Sequence, residues 1–364
     1  MTEKKIKHLT GNLILVLVSV VVALLFCEMI ARAFLFNNKI SKSSQYIPSE
    51  YSEIVYEYKP HLNFYSPIHE TQLITNAAGY RDKEFSTEKP DNLIRIICLG
   101  DSATFGWRIR DISLTYPQQL EKKLNKKHQG RFEVYNLGVE GYNTHHEVAT
   151  LKYKALKYNP DIAILTVNFG DTGHDWITVR HGKVMNNFPQ PPVLGKVIPD
   201  TLHNFLINAS VLYYFADLIF INATYNDDEK LIFLDDFASK NLQQMNQDLS
   251  RFYDKKRILE FKKICKKNDI LPVVAIMPWF YAPIDKNSPE YPISLELENF
   301  LKEHNIIAVN LFTSVLYENT YTDLSAAQYT ELLKVNPDDS HPNEKALSIY
   351  ADEIKKKLLE NIKI

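Results

Sequence analysis

Leu93-Ile94-Arg95-Ile96-Ile97-Cys98-Leu99-Gly100-Asp101-Ser102 is the stretch whose reading decides the fold. Six of the seven residues from Leu93 to Leu99 are apolar, a run too short for a helix and β-branched enough for a buried strand. It runs directly into a Gly-Asp-Ser corner. Gly100 lets the backbone turn, and Ser102 then projects from the carboxyl end of the strand where the next helix begins. Ligands of open α/β sheets bind along that edge. A hydroxyl at a helix N-terminus also lies beside backbone N–H groups able to hold a developing oxyanion. Ser102 is therefore the candidate nucleophile.

A serine needs a base, and the other end of the chain carries one. Asp338-Asp339-Ser340-His341-Pro342 reads as a loop ahead of an amphipathic helix from about Asn343 to Asn361. Histidine is the side chain most often used to take a proton from a hydroxyl at neutral pH. A carboxylate three residues earlier, Asp338, can fold back on the imidazole and fix its tautomer. The fold must bring together two motifs lying more than 200 residues apart.

Around these anchors the chain alternates. Residues 115–127 read as a helix, Phe132–Leu137 as a strand, 144–158 as a helix and Asp161–Val167 as a third strand. After an interruption, 255–268 forms a basic amphipathic helix and Leu271–Met277 a strand; 294–304 is helical and Ile306–Leu311 a fifth strand. Strands alternating with helices of this length mean βαβ units and a parallel sheet.

The motifs resemble those of the SGNH/GDSL hydrolases. Gly100-Asp101-Ser102, followed by Ala103-Thr104-Phe105-Gly106, is the first match. Asn136-Leu137-Gly138-Val139-Glu140-Gly141-Tyr142 is the second, and Asp338-x-x-His341-Pro342-Asn343 the last. The resemblance covers roughly Asn76 to the C-terminus. It implies a three-layer α/β/α sandwich with a parallel five-stranded sheet of the flavodoxin-like kind. It also implies a catalytic set of Ser102, His341 and Asp338, and an oxyanion hole of the Ser102 and Gly141 backbone N–H groups. Asp338 has the family spacing, while Asp339 reads as solvated. The family's Gly-x-Asn-Asp block is altered to Val167-Asn168-Phe169-Gly170-Asp171-Thr172, which puts Thr172 where an Asn is expected and Asn168 four residues earlier. Either is a candidate donor to the oxyanion.

Asn76-Ala77-Ala78-Gly79-Tyr80-Arg81 is similar to a stretch seen ahead of the first strand in membrane-anchored members of the family. It also reads equally well as an ordinary turn with a surface arginine.

The N-terminal part is of a different character. Residues 1–12 are polar, with Lys4, Lys5 and Lys7, and read as a cytoplasmic tail. Residues 13–36 are apolar except for Ser19, Glu28 and Arg32. Twenty-four residues of helix span about 36 Å, enough to cross a bilayer with some tilt. Glu28 and Arg32, at i and i+4, can pair near the interface. A transmembrane anchor is expected here, with an uncleaved or cleaved signal as the rival reading, and the lysines ahead of it place the bulk of the chain outside the cytoplasm. Residues 37–90 read as a stalk and irregular lead-in. Residues 91–364 form the hydrolase-like domain, interrupted by an insertion at about 171–250. Within the insertion Leu202–Ile221 reads as one apolar helix, and the segment is expected to build the substrate pocket.

Composition narrows the function further. The 364 residues are 45% hydrophobic, too apolar for disorder, and a net charge of −2 offers nucleic acid no electrostatic purchase. Three cysteines cannot form a disulfide framework. His145-His146-Glu147 lacks the second histidine of a zinc-protease helix, since position 150 is Thr150, so no metal is expected. The Gly-x-Ser-x-Gly elbow of other esterases is absent, because Thr104 stands two residues after Ser102. No cofactor is needed.

The expected function is an exported, membrane-anchored serine esterase or acylhydrolase. Its substrates would be acetyl or short-chain O-acyl esters on envelope glycans or lipids. An O-acyltransferase using the same residues, and a non-catalytic glycan- or partner-binding protein on the same fold, are the alternatives.

Overall fold

The computed structural model describes residues 3–32, 45–66, 69–128, 130–168, 177–180, 183–186, 198–224, 253–280, 283–288, 290–337 and 339–362. The chain forms two compact units. One comprises Met1–Ser44 with Val179–Asn241, the other Gln45–Thr178 with Leu242–Ile364.

The larger unit is built on a parallel sheet of Ile94–Leu99 (β1), Phe132–Asn136 (β2), Ile162–Asn168 (β3), Leu271–Met277 (β4) and Ile307–Asn310 (β5). Their order across the sheet is β2-β1-β3-β4-β5. Ile96 faces Ile162 and Leu99 faces Leu165 across β1 and β3, and Ile94 faces Phe132 on the other side. The chain reverses its direction of winding at β1, and in such sheets the crevice at that point is where ligands bind.

Both faces of the sheet are covered. Ile96, Cys98, Val134, Ile164, Val273 and Val309 pack with Leu120, Leu124, Leu347, Tyr350 and Ile354 from the helices Tyr116–Asn125 and Glu344–Asn361. The helices Thr144–Thr150 and Lys255–Lys267 lie on the opposite face, with Val148, Ile258, Phe261 and Cys265 buried. Buried aliphatic side chains of this kind are each worth about 1.5–3 kcal/mol, which is why every residue of β3 is buried and apolar until Thr166 and Asn168.

Several elements depart from the sequence-based expectation. The helix begun at Thr144 is α-helical only to Thr150, then widens to a π turn over Leu151–Ala155 and tightens to a 3-10 turn over Leu156–Tyr158. β5 stops at Asn310 because the Asn310 side chain accepts from the Thr313 N–H and starts a helix at Leu311. The lead-in before residue 91 is no free stalk from Gln45 onward. It forms two antiparallel ladders, Tyr46–Pro48 with Tyr56–Tyr58 and Asn63–Ser66 with Thr71–Ile74, and buries Ile54, Tyr56, Tyr58 and Leu73.

In the smaller unit the Glu3–Ile30 helix contains one stretch, Asn12–Ile30, long and apolar enough to cross a membrane, with mean hydropathy 3.0 and none of it buried within the protein. The single helix expected over Leu202–Ile221 is two, Asp200–Ala209 and Val211–Thr224. Ser210 between them is extended, and its Oγ accepts from the Tyr213 N–H as a helix cap. Residues 171–176, 187–197 and 225–252 of the insertion lie outside the described residues.

Candidate active site

β1 ends at Leu99, and the next residues are packed too tightly for any side chain at position 100. A Cβ there would meet Thr104 Oγ1 at 2.0 Å and Thr166 Cβ at 3.1 Å. Close approach, rather than an unusual backbone angle, is what Gly100 supplies. Asp101 caps the short helix Ser102–Phe105, its Oδ1 accepting from the Ala103 N–H at 2.9 Å. Gly106, at φ 85°, closes that helix in the left-handed conformation that favours glycine. Ser102 is thus the first helical residue, 7% exposed, at the carboxyl edge of the sheet.

Arg81 holds this turn from behind. Its guanidinium is buried and donates to the carbonyls of Phe105 (3.3 Å), Gly106 (3.0 Å) and Ile109 (2.5 Å), while lying over the Phe105 ring. Burial pulls its pKa down to about 10, so it stays charged at neutral pH. The surface arginine of the turn reading is therefore a buried tie to the loop that carries Ser102. Asn136, at the end of β2, adds a second tie by donating to the Thr104 carbonyl at 2.8 Å and accepting from the Gly138 N–H at 2.9 Å.

Ser102 and His341 meet. Ser102 Oγ lies 2.9 Å from His341 Nε2, and His341 Nδ1 lies 2.5 Å from an oxygen of Asp339. The carboxylate at the imidazole is that of Asp339, not the expected Asp338, which lies outside the described residues. The reason is local. Asp339–Pro342 is not loop but a short strand, antiparallel to Lys334–Asn336 with a register shift between Lys334 and Asn336. Side chains two residues apart on a strand share a face, so Asp339 and His341 point the same way. Asp339 Oδ1 also accepts the His341 backbone N–H at 3.1 Å.

With a carboxylate on Nδ1, that nitrogen carries the proton and Nε2 presents its lone pair to the serine hydroxyl. Burial pushes Asp339 up, but hydrogen bonds from His341 and Trp107 and the imidazole's charge outweigh it and hold the carboxyl well below its usual range. Trp107 Nε1 donates to the second carboxylate oxygen at 2.9 Å. The imidazole itself lies between two indoles, stacked on Trp107 at 5.2 Å and edge-on to Trp279 at 4.8 Å. Asn343 anchors the far side: it donates to the Leu332 and Lys334 carbonyls and caps the Glu344–Asn361 helix.

The expected oxyanion donors sit on neighbouring strand ends. Gly141 follows β2 with φ 74°, a conformation that favours glycine. Asn168 ends β3, buried, but its amide is directed at Asp101 Oδ2, 2.5 Å away. Burial pushes the Asp101 carboxyl up, with the Ala103 N–H, His341 and Asn168 opposing. Thr172 lies outside the described residues.

A second buried cluster supports the Gly141 loop, and the sequence motifs did not reveal it. His69 joins Ser66 Oγ through Nδ1 (2.6 Å) and Glu140 Oε2 through Nε2 (2.6 Å), with its ring against Phe105 and Trp107. Burial pushes the Glu140 carboxyl up to about 8; burial, aided by the charges of Arg81 and Arg108, pulls His69 down to about 4. Tyr56 Oη donates to the Glu140 carbonyl at 2.6 Å, so the residue before Gly141 is held by side chain and backbone together.

Other candidates resolve differently. His146 closes a helix cap with Asn143. Among the described residues no group of His, Cys, Asp and Glu is arranged to hold a metal ion. A cavity of about 240 Å³ lies beside Arg108, Arg110, Asn336 and Asn343, but neither Ser102 nor His341 lines it.

No protein-family model matches the chain, and no curated protein does. Similar solved structures include the lipase/acylhydrolase from Enterococcus faecalis, at 12% identity and TM-score 0.39, covering 74% of this chain and 98% of that one. A member of the lipolytic G-D-S-L family from Veillonella parvula has 14% identity and TM-score 0.37, covering 74% and 98%. A two-domain esterase active on acetylated mannans has 14% identity and TM-score 0.40, covering 74% of this chain and 50% of that one. The structures this chain resembles are GDSL lipolytic hydrolases and acylhydrolases.

Proposed function

We propose that this protein is a serine esterase of the SGNH/GDSL kind, in which Ser102, His341 and Asp339 act as nucleophile, base and orienting carboxylate. The observation that carries the reading is the continuous contact from Ser102 Oγ through both nitrogens of His341 to Asp339, made by residues 239 positions apart in the chain. Surface residues meet by accident, but a partly buried hydroxyl-imidazole-carboxylate line at a sheet switch point is an arrangement for acyl transfer.

The chemistry follows from the contacts. Ser102 Oγ attacks the ester carbonyl carbon as its proton passes to His341 Nε2. The resulting oxyanion faces the N–H groups of Ser102 and Gly141, with Thr172 as a further candidate donor, since the Asn168 amide is directed at Asp101. Collapse breaks the bond to the alcohol oxygen, which leaves with the proton from His341. Water then gives its proton to Nε2 and attacks the acyl-enzyme, and the acid is released with Ser102 restored. Asp339 stabilises the imidazolium formed in each half.

The substrate reading is an acetyl or other short-chain O-acyl ester of a glycan or lipid. The acetylated-mannan esterase among the similar structures fits that class. We place the protein at a membrane through its Asn12–Ile30 segment, with the larger unit outside the cytoplasm, as the lysines preceding the segment favour. Transfer of the acyl group to an acceptor hydroxyl shares every step up to the acyl-enzyme.

Fluorophosphonate labelling and p-nitrophenyl acetate turnover test the reading. Labelling at Ser102 and turnover lost in Ser102→Ala are expected. A folded protein that neither labels nor turns over would overturn it in favour of a binding protein.

A further inference from the structure

In the smaller unit, the end of the apolar helix carries a carboxylate whose partners come mostly from the insertion. Glu28 accepts from Ser210 Oγ (2.8 Å), the Val211 N–H (2.9 Å) and the Leu212 N–H (3.0 Å), and from Arg32 Nε at 2.8 Å. Arg32 donates in turn to the Ala209 carbonyl at 2.8 Å. Glu28 thereby satisfies N–H groups that open the Val211–Thr224 helix, and Arg32 a carbonyl that closes the Asp200–Ala209 helix. Each charge sits at the helix end whose dipole favours it. An ion pair in an otherwise apolar segment is costly unless its hydrogen bonds are filled, and here the helix pair fills them.

This clamp fixes where the helix pair lies along the apolar helix. Glu28 falls within the last turn of the Asn12–Ile30 segment, the level at which hydrocarbon gives way to headgroups if that segment spans a bilayer. Among the described residues the pair exposes four large apolar side chains. Leu202 and Phe205 are 47% and 65% exposed on the first helix, and Ile219 and Phe220 are 66% and 50% exposed on the second. From Asp200 to Thr224 the only charged residues are Asp200 and Asp217, and Asp217 is buried.

We propose that the Asp200–Thr224 helix pair is a second membrane contact, lying on the bilayer that the apolar helix enters and seating Leu202, Phe205, Ile219 and Phe220 at the acyl boundary. The inference rests on the anchor reading above. Lipid is the occupant because the exposed apolar side chains are clamped to the end of a segment that is apolar but for Asn12, Ser19 and Glu28 and is not buried within the protein. With no lysine or arginine from 200 to 224, attachment is by apolar burial and does not need anionic lipid.

The full chain in phosphatidylcholine vesicles, with or without bromine on the lipid tails, provides the test. In a Cys27→Ala background, where Cys98 and Cys265 are buried, a fluorophore is attached at Leu17→Cys or Ile219→Cys. Brominated tails are expected to quench both probes roughly twofold, unchanged in high salt. Adding Glu28→Gln should lower quenching at 219 and leave it intact at 17. Quenching at 17 without quenching at 219 overturns this inference and leaves the anchor standing. Absence of quenching at 17 removes the anchor reading itself. With the fluorophore omitted and copper-phenanthroline added as oxidant, Ile219→Cys disulfides between copies, together with no quenching of the labelled protein, would assign the face to a second molecule and overturn the inference.

Discussion

Trp107 Nε1 donates to Asp339 Oδ2, leaving the other carboxylate oxygen for His341 Nδ1. Trp107 lies five residues beyond the nucleophile, so one short segment supplies both Ser102 and the group that orients the carboxylate. Its ring also stacks on His341. Replacing it by Phe removes the donor and keeps the ring. Trp107→Phe should lower kcat roughly tenfold, the worth of one hydrogen bond to a charged group, with KM little changed. Trp107→Ala should cost more.

Substitution distinguishes the two adjacent aspartates. Asp339→Asn removes the charge that holds the imidazole tautomer and should reduce kcat by about 10³–10⁴ in p-nitrophenyl acetate hydrolysis. Asp338→Asn should leave turnover close to that of the parent. The reverse outcome would reassign the carboxylate.

Arg81 is a stability prediction as well as a catalytic one. It satisfies three carbonyls behind Ser102 from a buried position. Arg81→Met should cost roughly 3 kcal/mol or more in urea unfolding, since three carbonyls lose the buried guanidinium that donates to them. Arg81→Lys should recover part of that loss.

Stability should also fall as pH rises from about 6.5 to 8. Burial raises Glu140 to about 8 and Asp82 and Glu290 to about 7, so in this window the folded state holds protons that the unfolded chain has already released. Their contribution is complete below the ordinary carboxylate range and is lost as pH climbs through these raised values. His69, drawn down to about 4, acts oppositely but only below about 6.5. Thermal unfolding should show Tm dropping across the window, and Glu140→Gln should flatten the slope.

How much of this was written legibly in the chain depends on range. The Leu93–Leu99 run followed by Gly-Asp-Ser announced a strand end and a nucleophile because both signals are local. His341 was legible because few residues can serve a serine as base. Asp339 was not, because choosing between neighbouring aspartates depends on whether residues 339–342 are strand or loop, and their pairing with 334–336 settles that. Arg81 reads equally as part of a family-like stretch or as a surface arginine, because nothing near it in sequence shows the three carbonyls it meets. The break at Ser210 was hidden for a similar reason: the carboxylate that fixes it comes from Glu28, 182 positions away.

Because His341 immediately precedes the Glu344–Asn361 helix, whose residues pack against the Tyr116–Asn125 helix and the sheet, the imidazole reaches Ser102 only when that helix is docked. Loosening of that helix therefore parts hydroxyl from imidazole, however well the Gly100-Asp101-Ser102 turn itself is kept.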